Sequence, residues 1–279
     1  MCTLKQIVSM LKSSSSDLRQ NIVRSLGSSS TPLFAVFGHG KQSRLQLAGS
    51  GSFVIAGGSH YILTAAHVWE KVLKFALKVG IVLPDNITHS FLIDVAAVVP
   101  IILKPKTSIW SEWGPDLVLL RIPPERVGSI EAFHIFEHLE SRPKPPKVKC
   151  CECWVVVGSP GELGKFTKNY AEVEITGRFV DPKPRQRGKY DYFDFNLDST
   201  SSGMPKSWGG LSGGGLWRVL VYCSPETGKI DWAQRLVGVP FWESQLKRRY
   251  RAIRAHGPNS IKALVAKGRR VARSRPGLV

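Results

Sequence analysis

Three short stretches carry residues suited to acyl transfer. Trp208-Gly209-Gly210-Leu211-Ser212-Gly213-Gly214-Gly215 sets one serine among glycines, and glycine lets a backbone turn sharply and lie close to a substrate carbonyl. Ile62-Leu63-Thr64-Ala65-Ala66-His67-Val68 puts a histidine after an apolar run, with small alanines that leave room for the ring. Gly114-Pro115-Asp116-Leu117-Val118-Leu119-Leu120 places a carboxylate at the mouth of another apolar run. That position is costly unless a donor such as a histidine Nδ1–H satisfies it. A serine nucleophile needs a base, an orienter for the base and fixed amides for the oxyanion. Ser212, His67, Asp116 and the amides of Gly210 and Ser212 supply one set. Each stretch has a plainer reading too: a glycine-rich turn, a half-buried histidine, a turn aspartate after Gly-Pro. Asp94 is a rival orienter, but it lies inside the apolar run 91–99 with no turn before it.

Order and spacing weigh on the side of chemistry. The sequence runs His67, Asp116, Ser212 with gaps of roughly 49 and roughly 96 residues, against roughly 45 and roughly 93 in the chymotrypsin-type template. On these motifs the chain resembles a trypsin-like (chymotrypsin-fold) serine protease over residues 32–244. Gly49-Ser50-Gly51-Ser52-Phe53-Val54 is similar to the strand before the histidine motif. Val156-Val157-Gly158-Ser159-Pro160-Gly161 is similar to the strand and turn opening the second barrel of bacterial high-temperature-requirement proteases. The resemblance implies an all-β fold of two six-stranded antiparallel β-barrels with the site in the cleft between them. His67 would be general base and acid, Asp116 its orienter and Ser212 the nucleophile of a serine endopeptidase acting on a protein or peptide without a cofactor. Leu211 stands where digestive and clotting members carry an aspartate that pairs with a freshly cut N-terminus, so that switch is absent. Control must then come from loop ordering at 199–203, an activating protein partner or the chain's extensions. Lys206 falls at the pocket floor and Phe241, Trp242 and Glu243 on its wall. Lys206 alone favours an acidic substrate residue and Glu243 a basic one; paired, they would narrow the pocket.

The elements that must hold these residues follow from periodicity. Leu4, Ile7, Val8 and Leu11, then Leu18, Ile22, Val23 and Leu26, recur at helical spacing, and Asp17 with Gln20 looks like a capping box. Residues 1–31 read as a helical extension. Short apolar runs between glycines and prolines fill 32–244, more than one ordinary sheet holds. The runs divide at a proline-rich linker, residues 142–149, into a first barrel (32–141) with His67 and Asp116 and a second (142–244) with Ser212. Residues 127–139 read as a short helix and 245–279 as a basic helical tail, with Ile261, Leu264 and Val265 on one face of its last helix.

Composition bounds the rest. The chain has 279 residues, 43% hydrophobic, and a formal net charge of +18. Such a charge attracts nucleic acid or acidic partners and says nothing of fold. Lys247 to Arg275 holds much of it, with no acidic residue between 245 and 279. That tail carries the rival reading, a nucleic-acid- or protein-binding module on a catalytically silent trypsin-like scaffold. Cys2, Cys150, Cys151, Cys153 and Cys223 show no spaced framework. With no secretory leader and no apolar run long enough for a membrane span, this leads to an expectation of reduced cysteines in the cytoplasm of a bacterium, in a setting such as antiviral defence. His134-Ile135-Phe136-Glu137-His138 matches an inverted zinc-peptidase pattern, but a surface helix is the simpler account and no metal is expected.

Overall fold

The computed structural model describes residues 2–38, 43–83, 86–104, 112–141, 147–166 and 171–274. Most of the linker and Arg275 lie outside them. Helices α1 (Leu4–Lys12) and α2 (Asp17–Gly27) lead the chain, as their apolar spacing requires. Thr3 and Gln6 form a reciprocal cap on α1. Ser16, not Asp17, caps α2, its hydroxyl accepting from the Arg19 amide at 3.3 Å. Asp17 instead sits in the first turn, where the helix dipole favours a carboxylate.

The body is mostly β, in two antiparallel sheets. The first holds β1 (Ser30–Phe37), β2 (Arg44–Ala56), β3 (Ser59–Thr64), β4 (Lys78–Leu83), β5 (Asn86–Asp94), β6 (Val99–Leu103) and β7 (Leu117–Arg121), in the order β5-β4-β1-β2-β3-β7-β6. A short β8 (Glu137–His138) runs parallel to β2. Helix α3 (Ala66–Lys71) follows β3, and α4 (Pro124–Glu131) follows β7. The second sheet holds β9 (Cys150–Gly158), β12 (Thr176–Val180), β13 (Lys183–Arg187), β14 (Tyr190–Asp198), β15 (Gly215–Cys223), β16 (Ile230–Glu243) and β17 (Tyr250–His256). Its order is β12-β9-β15-β16-β17-β14-β13, and β10 (Lys165–Phe166) pairs with β11 (Ala171–Glu172) beside it. Among the described residues no ladder joins the two edges of either sheet. Helix α5 (Pro258–Ser274) closes the chain.

Three elements differ from the sequence reading. The apolar run 91–99 is not one strand: β5 ends at Asp94, a tight turn covers 95–97, and β6 begins at Val99. Asp94 faces Lys78 at 3.8 Å at an exposed strand end, far from an orienter's setting. Residues 127–139 split into α4 and β8, because β2 offers a free edge at Val54 and Ile55. Residues 250–256, read as part of a helical tail, are an interior strand: β17 lies between β16 and β14. Ile253, Arg254, Ala255 and His256 are all buried there, with Asp194 balancing the Arg254 charge, so the density of arginines masks a strand.

Buried side chains form connected clusters. One, around Leu33, Phe53, Ile62, Trp69 and Val118, lies within the first sheet and takes in Tyr192 and Phe241 of the second. Another joins Ile7, Ile22 and Leu26 of the leading helices to Leu63, Leu119, Trp217 and Val239, and to Ile261 and Leu264 of α5. The apolar face expected of the last helix is therefore packed on the body. Asp191 of β14 accepts from the Asn259 and Ser260 amides, at 3.0 and 2.8 Å, and so caps the start of α5. Further along, Arg269 pairs with Glu140, and Lys267 donates to the Ile102 carbonyl at 2.6 Å.

The cysteines also depart from expectation. Cys2 and Cys223 form a disulfide that ties the start of α1 to the end of β15, while Cys150, Cys151 and Cys153 are free. The pairing depends on α1 folding back across the second sheet, which no cysteine spacing reveals. Burial pushes the Cys153 thiol up to about 12, so it is an inert core group. No helix among the described residues is long and apolar enough to cross a membrane. A cross-link over 221 residues removes much freedom from the unfolded chain. Cys2→Ser, or reduction, should lower unfolding free energy by about 2–5 kcal/mol in urea titrations.

Candidate active site

His67 is the second residue of α3, directly after the buried pair Ala65 and Ala66. Asp116 stands just before β7 and is 3% exposed. Its carboxylate takes both donors His67 offers. The His67 amide reaches Oδ1 at 2.8 Å, and Nδ1 reaches Oδ2 at 2.6 Å. A carboxylate only accepts, so Nδ1 donates to it, and in the neutral ring Nε2 is the nitrogen that can accept a proton. The pairing β3 to β7, with Thr64 opposite Val118, brings the two residues together.

The Ser212 loop lies between Trp208 and β15. Gly210 has φ +98° and Gly213 φ +88°, conformations that favour glycine. Leu211 is buried against Trp208, Val156 and Leu216. An aspartate there would put an unpaired charge into an apolar cluster, so leucine serves as the loop's anchor. The Gly209 carbonyl accepts from the Gly161 amide at 2.7 Å. In a trans peptide the N–H points the other way, so the Gly210 amide faces away from Gly161. Among the described residues neither the Gly210 nor the Ser212 amide donates a hydrogen bond.

Ser50 of β2, fully buried, fastens this loop to the first sheet. Its amide donates to the Ser212 carbonyl at 2.8 Å and its hydroxyl to the Gly210 carbonyl at 2.7 Å. The same hydroxyl accepts from the Ser159 amide at 2.8 Å, and its carbonyl accepts from Thr64 Oγ1 at 2.6 Å. A Cβ on neighbouring Gly49 would lie 2.7 Å from the Val68 side chain and 2.8 Å from the Ser212 carbonyl oxygen. The serine's main chain thus packs beside the residue that follows His67. On the far side, the Gly213 amide donates to the Pro240 carbonyl at 2.8 Å.

The pocket residues are arranged differently from expectation. Lys206 and Glu243 do not pair. Glu243 accepts from the Trp208 amide at 3.0 Å and from Ser207 Oγ at 3.2 Å, and Arg251 Nε lies 3.1 Å away. Lys206 is exposed, its amide donating to Glu162 at 2.7 Å. Phe241 is buried and Trp242 half-buried. The segment 199–203, read as a mobile loop, is organised by Asp198, which accepts from Thr200, Ser201 and Arg249. The Ser201 hydroxyl and these other donors hold its carboxyl well below the usual range. Trp208 Nε1 donates to Ser199 Oγ at 3.0 Å, joining this segment to the Ser212 loop.

The inverted zinc pattern has no helix to stand on. His134 is buried, with one ring nitrogen 3.0 Å from the Ser28 carbonyl and the other 3.2 Å from that of Val82. Burial lowers its affinity for a proton. No group of three or more potential ligands that could hold a metal ion occurs among the described residues. Burial pushes the Glu137 carboxyl up to about 7, offset in part by the Leu236 amide and Arg235.

No protein-family profile matches the chain, and no curated protein matches it. Among solved structures, a chain reported with the coupled folding and binding of the intrinsically disordered Sesbania mosaic virus VPg protein is similar at 14% identity and a TM-score of 0.40. The match covers 83% of this chain and 93% of that one. A likeness at that level leaves the site to be read from its own geometry.

Two substitutions test the geometry. Ser50→Ala leaves the Ser159 amide and the Gly210 carbonyl without their partner and should cost about 1–3 kcal/mol in chemical denaturation. Glu137 is easier to protonate folded than unfolded, so its contribution is complete below the unfolded pKa and is lost as pH rises through about 7. Glu137→Gln should therefore raise stability by about 2–3 kcal/mol at pH 8 and leave it unchanged at pH 4.

Proposed function

We propose that the chain is a serine endopeptidase of chymotrypsin-like fold, its sheets forming the two barrels of that architecture, with His67, Asp116 and Ser212 as its triad. The observation that carries this reading is the His67–Asp116 pair, with Nδ1 held on the carboxylate at 2.6 Å, beside a serine loop whose Gly210 and Ser212 amides donate no hydrogen bond among the described residues. In this reading Nε2 takes the Ser212 proton as Oγ attacks the scissile carbonyl. The negative charge that develops on the carbonyl oxygen meets the Gly210 and Ser212 amides, each such donor being worth about 3–4 kcal/mol in the transition state. His67 then returns the proton to the leaving amine, which frees the first product and leaves an acyl-enzyme. Water attacks that ester by the same route, with His67 again as base.

Substrate choice follows from the charges near the loop. Glu243 is neutralised by Arg251 and two local donors, which leaves Lys206 as the charge open to a substrate side chain. This favours an acidic residue on the acyl side of the cut. With Leu211 in place of an activating aspartate, control falls to a protein partner or to the 199–208 segment.

A peptide library digested by the wild type, with cleavage sites read by mass spectrometry, tests both points. Ser212→Ala should abolish cleavage, Asp116→Asn should lower kcat by about 10⁴-fold, and the cut sites should carry Asp or Glu on the acyl side. Cleavage that survives Ser212→Ala would refute the assignment.

A further inference from the structure

We infer that His256 is a positioning residue that fixes Asp116 from the opposite sheet, its ring accepting the Asp116 main-chain amide while His67 occupies the carboxylate. The kinetic part of this inference rests on the peptidase reading; the geometric part does not. The Asp116 amide donates to His256 Nε2 at 3.0 Å. Because Nε2 accepts, the imidazole is neutral and carries its proton on Nδ1. Burial, which holds His256 down to about 3, keeps it in that state across the working pH range. A protonated ring would have no lone pair for the amide.

Several features place this ring. β17 pairs His256 with Tyr192 of β14 and with Val239 of β16. The register shifts between Pro240 and Trp242, so Phe241 has no partner on β17; its ring stacks on His256 with centroids 4.2 Å apart. Just after His256, Gly257 donates to the Asp191 carbonyl at 2.8 Å, which locks the strand end. A Cβ on Gly114 would lie 2.9 Å from His256 Cε1 and 3.0 Å from Nε2. Glycine with φ +46° therefore lets the ring approach. The same strand holds the loop at its other end. Arg254 donates to the Glu112 carbonyl at 2.9 Å and lies 3.6 Å from the Trp113 ring centroid, while Asp194 balances its charge at 2.7 Å. Tyr192 Oη donates to the Trp113 carbonyl at 2.5 Å.

The choice of histidine also needs a reason. His256 Nδ1 is buried without a hydrogen-bond partner among the described residues. An orphaned buried donor is destabilising, and a phenylalanine would stack on Phe241 without it. What histidine adds is the Nε2 acceptor for Asp116.

The test compares His256→Phe, which keeps the ring and loses the acceptor, with His256→Gln, which restores an acceptor. The first readout is the downfield proton resonance of His67 Nδ1–H in the Ser212→Ala background, which requires no turnover. It should be sharp with His256, lost or exchange-broadened with Phe, and recovered with Gln. The second is kinetic: His256→Phe should lower kcat by about 10- to 100-fold with KM within about threefold, the pattern of a misplaced base rather than a damaged binding site. His256→Gln should recover most of the loss. Retention of both resonance and kcat in His256→Phe overturns the assignment. So does equal impairment of the two variants with matching losses of Tm, which marks a packing role only. If peptide cleavage survives Ser212→Ala, the peptidase reading falls by itself, and the resonance alone decides the role of His256.

Discussion

The constraint on which the structure turns is the burial of one carboxylate. Asp116 is nearly inaccessible, and an ionised carboxylate there is tolerable only with its oxygens bonded to fixed donors. The first sheet supplies those donors through His67, whose amide and ring both point at Asp116. The second sheet supplies an acceptor for the Asp116 amide through His256. Neither sheet completes the environment alone. The seam between the sheets is therefore held by polar contacts of defined direction as well as by apolar packing, and the residue at its centre faces the proposed catalytic base.

The serine loop solves a second problem with similar means. Its glycines permit the turn, but glycine lowers the cost of many conformations equally. Ser50 selects one by engaging the carbonyls of Gly210 and Ser212, and Leu211 anchors the same turn in an apolar cluster. With their carbonyls occupied and no hydrogen bond from their N–H groups among the described residues, Gly210 and Ser212 have the polarity an oxyanion requires. Ser50 also meets the Ser159 amide at the end of β9, so one buried hydroxyl ties the loop, the first sheet and the second sheet.

Much of this was legible in the sequence, and the failures have physical reasons. Helical spacing located α1, α2 and α5, and apolar runs located most strands, because those patterns depend on near neighbours. The residues proposed as the triad stood out because each sits in a short stretch with its own local logic. Ser50 was not, since a serine in a β-strand acquires its role only from the loop placed opposite it. His256 was hidden by charge. Tyr250-Arg251-Ala252-Ile253-Arg254-Ala255-His256 reads as part of a solvated tail, yet its arginines are consumed by Glu243, Asp194 and nearby carbonyls. The Gly257-Pro258 stop marks where that strand ends and α5 begins. The Cys2–Cys223 bridge and the Arg251–Glu243 pair depend on contacts between distant segments, which spacing along the chain does not encode.

The central claim is that Ser212 is activated by His67, and a covalent probe examines it most directly. A fluorophosphonate incubated with the wild-type protein, followed by peptide mass spectrometry, should give one adduct, on Ser212, that disappears in His67→Ala. No adduct on the folded protein, or labelling of Ser212 that is indifferent to His67, would contradict the account.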